Sequence, residues 1–264
     1  MARPFDELPT SVYRMGPDPD KARLELILLP EAWVGAWYWQ PWAQALADKG
    51  YGVNLLELPG HGQEPWRLPG GVSLLDYSLW AARATGSLSY PVLLGHGLGG
   101  WLVQKLLEVV DLPCILMAPW LGGKIPWPQW RFFLRYQFSH LVYLFFGRTM
   151  PPLDPNQLEK FFCQGVEISQ LREVWPGMTE EPPGVMLDYL LSLNRPKPEE
   201  SQLLRLVIGF EDDKFITPPQ IKQVAENLKA TRLNLPGPHI PWWGPEGQAL
   251  LSEVDKFLKK VKGR

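Results

Sequence analysis

The chain has 264 residues, 26 basic against 28 acidic side chains, and a formal net charge of -2. That length suits one large domain better than two small ones, and a near-neutral balance with no basic run excludes nucleic acid as an expected partner. Met1 to Lys21 mixes Pro, Asp and Arg instead of an apolar signal stretch, and the most apolar region, Phe132 to Phe146, is short and interrupted by Arg135, Gln137 and His140, so a soluble, cytoplasmic protein is expected.

Cys114 and Cys163 are the two cysteines. No metal-ligand spacing surrounds either, so reduced thiols are expected, with no metal and no cofactor. The 28 prolines, about twice the usual share, punctuate loops, whereas the 13 tryptophans suit core filling and pocket lining equally well.

In chain order, the apolar runs Leu24 to Leu29 and Gly52 to Leu56 predict buried strands, and between them Trp37 to Lys49 has helical spacing and stops at Gly50. The alternation continues with a helix over Leu74 to Thr85, a strand Pro91 to Leu94, a helix Leu98 to Val110 and a strand Cys114 to Ala118. Residues 120 to 200 contain helical patterns cut by Pro151-Pro152, Pro176-Gly177 and Pro182-Pro183, which predicts a helical lid inserted into the core formed by residues 1–119 and 201–264. Alternation then resumes with strand Leu204 to Ile208, helix Pro219 to Leu228, strand Arg232 to Leu235 and a last helix with one apolar stripe from Leu250 to Val261. Such an order implies an α/β fold: a mostly parallel sheet with helices on both faces.

The strand at Pro91 runs into Gly95-His96-Gly97-Leu98-Gly99-Gly100 and at once into a helix. A sharp strand-to-helix turn is where the G-x-S-x-G elbow holds a serine nucleophile in a strained conformation. Here the central residue is Gly97, which tolerates that backbone but offers no oxygen for an acyl-enzyme. Upstream stand Glu-Leu-Pro-Gly-His-Gly from Glu57 to Gly62 and the aromatic segment Ala32 to Trp39.

With these motifs the chain resembles the α/β-hydrolase superfamily, especially its small esterase and hydroxynitrile-lyase-like members, over most of its length outside the lid. The resemblance implies a nucleophile, acid and histidine in that order. It carries the nucleophile position onto Gly97, the base onto His239 in Pro236-Gly237-Pro238-His239, and the oxyanion donors onto the backbone N–H groups of Leu98 and Ala32. The acid is assigned to Asp212, three residues past Gly209, with Asp213 as the competitor if one counts from Thr217-Pro218.

Pro30-Glu31 stands where that superfamily has His-Gly beside the oxyanion hole. A carboxylate there either faces the space left by Gly97, where it would suit acid or base work, or turns to solvent, which is the preferred reading. His96 and His61 are read as packing residues, with His96 bordering the ligand, and His140 as a polar edge. Trp33, Trp120, Trp127 and Trp242 are expected around one cavity that takes a small apolar or aromatic ligand.

Three functions are then considered, in order of preference. The first is a non-covalent hydrolase or lyase in which Asp212 orients His239 as a base toward a carbonyl or ester-like compound. The second is an inactive, ligand-binding pseudo-hydrolase. Membrane contact through the lid stretch Phe132 to Phe146 is the third.

Overall fold

The structure is a computed structural model that describes residues 11–62, 71–121, 127–136 and 138–262; the side chains of residues 127–129, 136, 139, 140 and 143 lie outside this description. The strands are β1 (Ser11–Met15), β2 (Glu25–Leu29), β3 (Gly52–Glu57), β4 (Val92–His96), β5 (Cys114–Met117), β6 (Arg205–Phe210) and β7 (Thr231–Leu235). Among the described residues they form one seven-stranded sheet in the order β1-β3-β2-β4-β5-β6-β7. Every neighbouring pair is parallel except β1 with β3.

The central strands are near-continuous apolar runs because both faces of a parallel sheet are covered. Residues 26 to 29 of β2 and all of β3, β4, β5 and β6 are accordingly buried. The edge strand β1 was not expected. Among the described residues it pairs on one side only, and it is half-exposed, so Ser-Val-Tyr-Arg-Met carries no core signature.

Helices α1 (Gln40–Asp48), α2 (Leu74–Gly86) and α3 (Leu98–Leu106) follow the first strands. The helix expected from Trp37 opens as a 3-10 turn over Ala36–Trp39. The α-helix itself begins with Pro41 in its first turn, where a missing N–H costs nothing. Helix α2 is fixed at its start by a capping box between Ser73 and Asp76. Helix α3 stops short of Val110.

Among the described residues, five α-helices lie between β5 and β6: α4 (Trp127–Tyr136), α5 (Phe138–Leu144), α6 (Pro155–Phe161), α7 (Ile168–Val174) and α8 (Pro183–Leu190). No strand interrupts this insertion among the described residues, although Met150 and Glu181 form an isolated antiparallel bridge. The chain then completes the sheet with α9 (Pro218–Leu228) and α10 (Gly247–Leu258) around β7. Helix α1 packs on α10 and α2 on α3, with α3 also lying along β2, β4 and β5. The loops leaving the C-terminal ends of β2, β4, β6 and β7 carry Glu31, Gly97, Asp213 and His239. Parallel α/β sheets place their sites at that end of the strands.

Candidate functional site

Gly97 forms the turn between β4 and α3 with φ 48° and ψ -111°. A side chain at such a positive φ is strained, so glycine adopts it at the least cost. The turn is also tight, since a Cβ on Gly99 would lie 2.1 Å from the Leu29 carbonyl oxygen.

The carboxylate of Glu31 fills the space in front of Gly97. A Cβ placed on Gly97 would fall 1.4 Å from Glu31 Oε2, so a side chain there and the carboxylate are mutually exclusive. Glu31 is only 4% exposed, which corrects the preferred expectation that it turns to solvent. The reason is its set of partners. Oε1 accepts from Ala32 N–H at 2.7 Å and from Leu98 N–H at 2.8 Å. Oε2 lies 3.0 Å from His239 Nε2. Burying a carboxylate is costly unless it is paired and fully hydrogen-bonded, and here it is both.

His239 is fully buried, with Nδ1 donating to Asp213 Oδ2 at 2.7 Å. Burial pulls its pKa down, but the charges and hydrogen bonds of Asp213 and Glu31 outweigh it and push the value up to about 9. The ring is therefore an imidazolium at neutral pH, donating to a carboxylate at each end. The partner chosen from sequence was Asp212; the structure sets Asp213 against His239 instead, and Asp212 is exposed. Asp213 Oδ1 closes the turn by accepting from Phe215 N–H and Ile216 N–H, both at 2.8 Å, which aims the other oxygen at His239.

His96 packs on His239 with ring centroids 4.5 Å apart. Burial, and after it the positive charge of His239, holds its pKa well below the usual range. The neutral ring donates from Nε2 to the His239 carbonyl oxygen at 2.9 Å, so Nδ1 accepts from Tyr38 O–H at 3.0 Å. Sequence reading did not single out Tyr38, which fixes this tautomer.

Glu31, His96 and His239 bring donor atoms within 4.8 Å of one another, a set that suits a transition metal by ligand type. Those atoms are already satisfied: His96 Nδ1 by Tyr38, and Glu31 Oε2 by His239.

The tryptophans expected around one cavity do not stay together. Trp33 and Trp120 lie together near Gly97, with centroids 6.5 Å apart, and the backbone N–H of Trp120 donates to the Gly97 carbonyl at 2.9 Å. Trp242 was expected at the ligand too, but it stacks on Trp39 at 4.6 Å behind His96 and is part of the packed core. The side chain of Trp127 lies outside the described residues. The His140 side chain is also outside them.

Another buried carboxylate, Glu181, comes from the insertion and was not anticipated. Its Oε1 accepts from Trp33 N–H at 2.7 Å and lies 3.0 Å from His61 Nε2, while Oε2 accepts from Tyr77 O–H at 2.8 Å. Burial alone would lower the pKa of His61 and raise that of Glu181. Their mutual attraction reverses both, so His61 is raised and Glu181 lowered. The insertion grips Trp33 further, through Thr179 N–H on its carbonyl at 2.8 Å and its indole N–H on the Met150 carbonyl at 3.1 Å. These bonds hold Trp33 at φ 66°, a left-handed conformation uncommon for a bulky residue.

Among solved structures, the monoacylglycerol lipase of Paleococcus ferrophilus is similar to this chain at 18% identity and TM-score 0.74, covering 95% of this chain and 98% of that one. A thermophilic esterase from Thermogutta terrifontis matches at 17% identity and TM-score 0.71, over 96% and 94% of the two chains. Rv0554 from Mycobacterium tuberculosis matches at 17% identity and TM-score 0.72, over 96% and 94%. No curated protein sequence matches. The model of the alpha/beta hydrolase family matches residues 26–249. With its strand order and its Gly97 turn, the chain belongs to the α/β-hydrolase family.

Proposed function

We propose that this chain is a ligand-binding member of its family that performs no acyl transfer, with Glu31 stoppering the reaction centre. One observation carries the reading: a single carboxylate occupies both backbone donors, Ala32 N–H and Leu98 N–H, and the Nε2 end of His239. An oxyanion hole works because its donors await charge that develops in the transition state. Here the charge is already present. Serine catalysis also needs a hydroxyl at residue 97, and general-base catalysis by His239 needs a free lone pair on Nε2. Gly97 supplies no hydroxyl, and an imidazolium has no lone pair.

The recognition site in this reading lies beneath the insertion, at the buried Trp33 and Trp120. Trp120 packs on Tyr189 with ring centroids 4.0 Å apart and the planes tilted by 36°, and its indole N–H is buried without an acceptor among the described residues. A flat apolar or aromatic compound with one acceptor oxygen fits that chemistry.

The alternative, a non-covalent acid–base enzyme, draws support from the 3.0 Å Glu31–His239 contact, which holds a proton between two titratable groups. The probe 1-naphthyl acetate separates the two. A binder shows saturable tryptophan quenching without naphthol release, weakened about tenfold or more by Trp120→Ala and little changed by His239→Ala. Naphthol release that His239→Ala abolishes would establish the enzyme. Stoichiometric labelling by a fluorophosphonate would overturn both.

A further inference from the structure

Between Asp111 and Asp154 the chain contains no acidic residue, although its overall charge is -2, and this stretch carries Lys124, Arg131, Arg135 and Arg148. Helices α4 and α5 lie within it. Their inner positions, Phe133, Leu141 and Leu144, are buried. An ordinary amphipathic helix would then present polar residues outward. Here, among the described residues, several outward positions are apolar as well: Phe138 is 61% exposed, Phe145 71% and Phe146 76%. Val142, also exposed, joins them at positions i, i+4, i+7 and i+8, which is one helical stripe carried into the following turn. Arg131 and Arg135 on α4, before the stripe, and Arg148, just after it in sequence, are exposed too.

We propose that this outer face docks on an anionic lipid surface, its phenylalanines entering the boundary between headgroups and acyl chains and its arginines meeting lipid phosphates. Apolar stripe and positive charge together define an in-plane membrane-binding helix. No helix among the described residues is long and apolar enough to cross a bilayer, so the contact is peripheral. A second copy of the chain fits less well. The three phenylalanines expose roughly 400 Å² at about 200 Å² each, half of the ~800 Å² per partner in a stable complex. A two-fold contact centred on this face would also bring the arginines of both copies together.

The test is co-sedimentation with vesicles of phosphatidylcholine alone and of phosphatidylcholine mixed equally with phosphatidylglycerol. The wild type is expected to sediment with the mixed vesicles, to bind phosphatidylcholine at least about tenfold more weakly, and to be released by salt. Phe145→Ser with Phe146→Ser should weaken binding about tenfold or more without changing the thermal midpoint, because both positions are exposed. Phe138→Ser gives an independent reading on the same stripe. Arg131→Gln with Arg135→Gln should bring mixed-vesicle binding toward the level on phosphatidylcholine alone. Failure of the wild type to sediment with mixed vesicles would overturn the proposal, as would undiminished binding by the phenylalanine variants. Dimerisation without vesicle binding, abolished by Phe145→Ser with Phe146→Ser, would identify a self-contact and also refute it.

Discussion

Restoring a serine at residue 97 tests the centre directly, because the side chain and the Glu31 carboxylate compete for one space. In Gly97→Ser the new Cβ would sit 1.4 Å from Glu31 Oε2 at a backbone φ of 48°. The backbone term costs about 1–3 kcal/mol. Expelling the carboxylate gives up its bonds from Ala32, Leu98 and His239, each charge-assisted bond contributing about 1.5–3 kcal/mol. Allowing for relaxation and water, a loss of about 4–6 kcal/mol is expected, a large part of the 5–15 kcal/mol that stabilises a typical domain.

Glu31→Gly alone should cost about 2–3 kcal/mol, since water can reach the freed donors. The pair should be less destabilised than Gly97→Ser by itself, giving a coupling of about 3 kcal/mol in a double-mutant cycle read by urea unfolding. Only the double variant sets a hydroxyl at residue 97 in line with His239 and Asp213 and beside two vacant donors. It alone should hydrolyse 4-nitrophenyl acetate and accept a fluorophosphonate. Additive stabilities, or Gly97→Ser alone reacting as fast as the double variant, would mean that the carboxylate does not govern this site.

Three further outcomes are expected. The pKa of His239 is raised above its unfolded value, so its stabilisation is full below about pH 6.5 and is lost as pH rises toward about 9; urea midpoints should fall over that window by the equivalent of about 3 kcal/mol. Asp213→Asn should lower the His239 pKa in an NMR titration, whereas Asp212→Asn should leave it unchanged, and the reverse would overturn the pairing. Glu181→Ala strands His61, Trp33 N–H and Tyr77 O–H in the interior, so it should destabilise by about 3–5 kcal/mol and quicken hydrogen exchange at Trp33.

Periodic burial was legible in the sequence, and pairings between distant polar groups were not. The apolar runs from Leu24 to Ile208 announce the parallel strands because each must be covered on two faces, and the Gly97 turn follows from glycines between a strand and a helix. Edge strand β1 has no such signature. Asp212 and Asp213 are adjacent, and the choice depends on which of them closes the turn onto Phe215 and Ile216, a detail of geometry that counting from Gly209 misses. Glu31 looked solvent-facing because a buried lone carboxylate is costly, but its cation is the His239 ring, 208 residues away. Glu181 is one of two adjacent glutamates in the insertion, and nothing local distinguishes it from Glu180.

Three buried carboxylates, Glu31, Glu181 and Glu57, act on one short loop. Glu31 anchors the loop to α3 and His239. Two residues on, Trp33 is held through its N–H by Glu181 and through its carbonyl by Thr179. Further along, Ala36 N–H donates to Glu57 Oε2 at 2.5 Å. Withdrawing the Glu31 side chain by moving the loop would therefore break contacts with both sheet and insertion, and would have to release Trp33 from its positive φ. A side-chain rotation alone leaves two buried N–H groups and an imidazolium without their anion, a state costing several kcal/mol unless another anion enters. A small carboxylate would supply the missing charge. Formate or acetate should consequently restabilise Glu31→Gly in a concentration-dependent way while leaving the wild type unaffected. Equal stabilisation of both proteins would show that the donors at Ala32 and Leu98 were open all along.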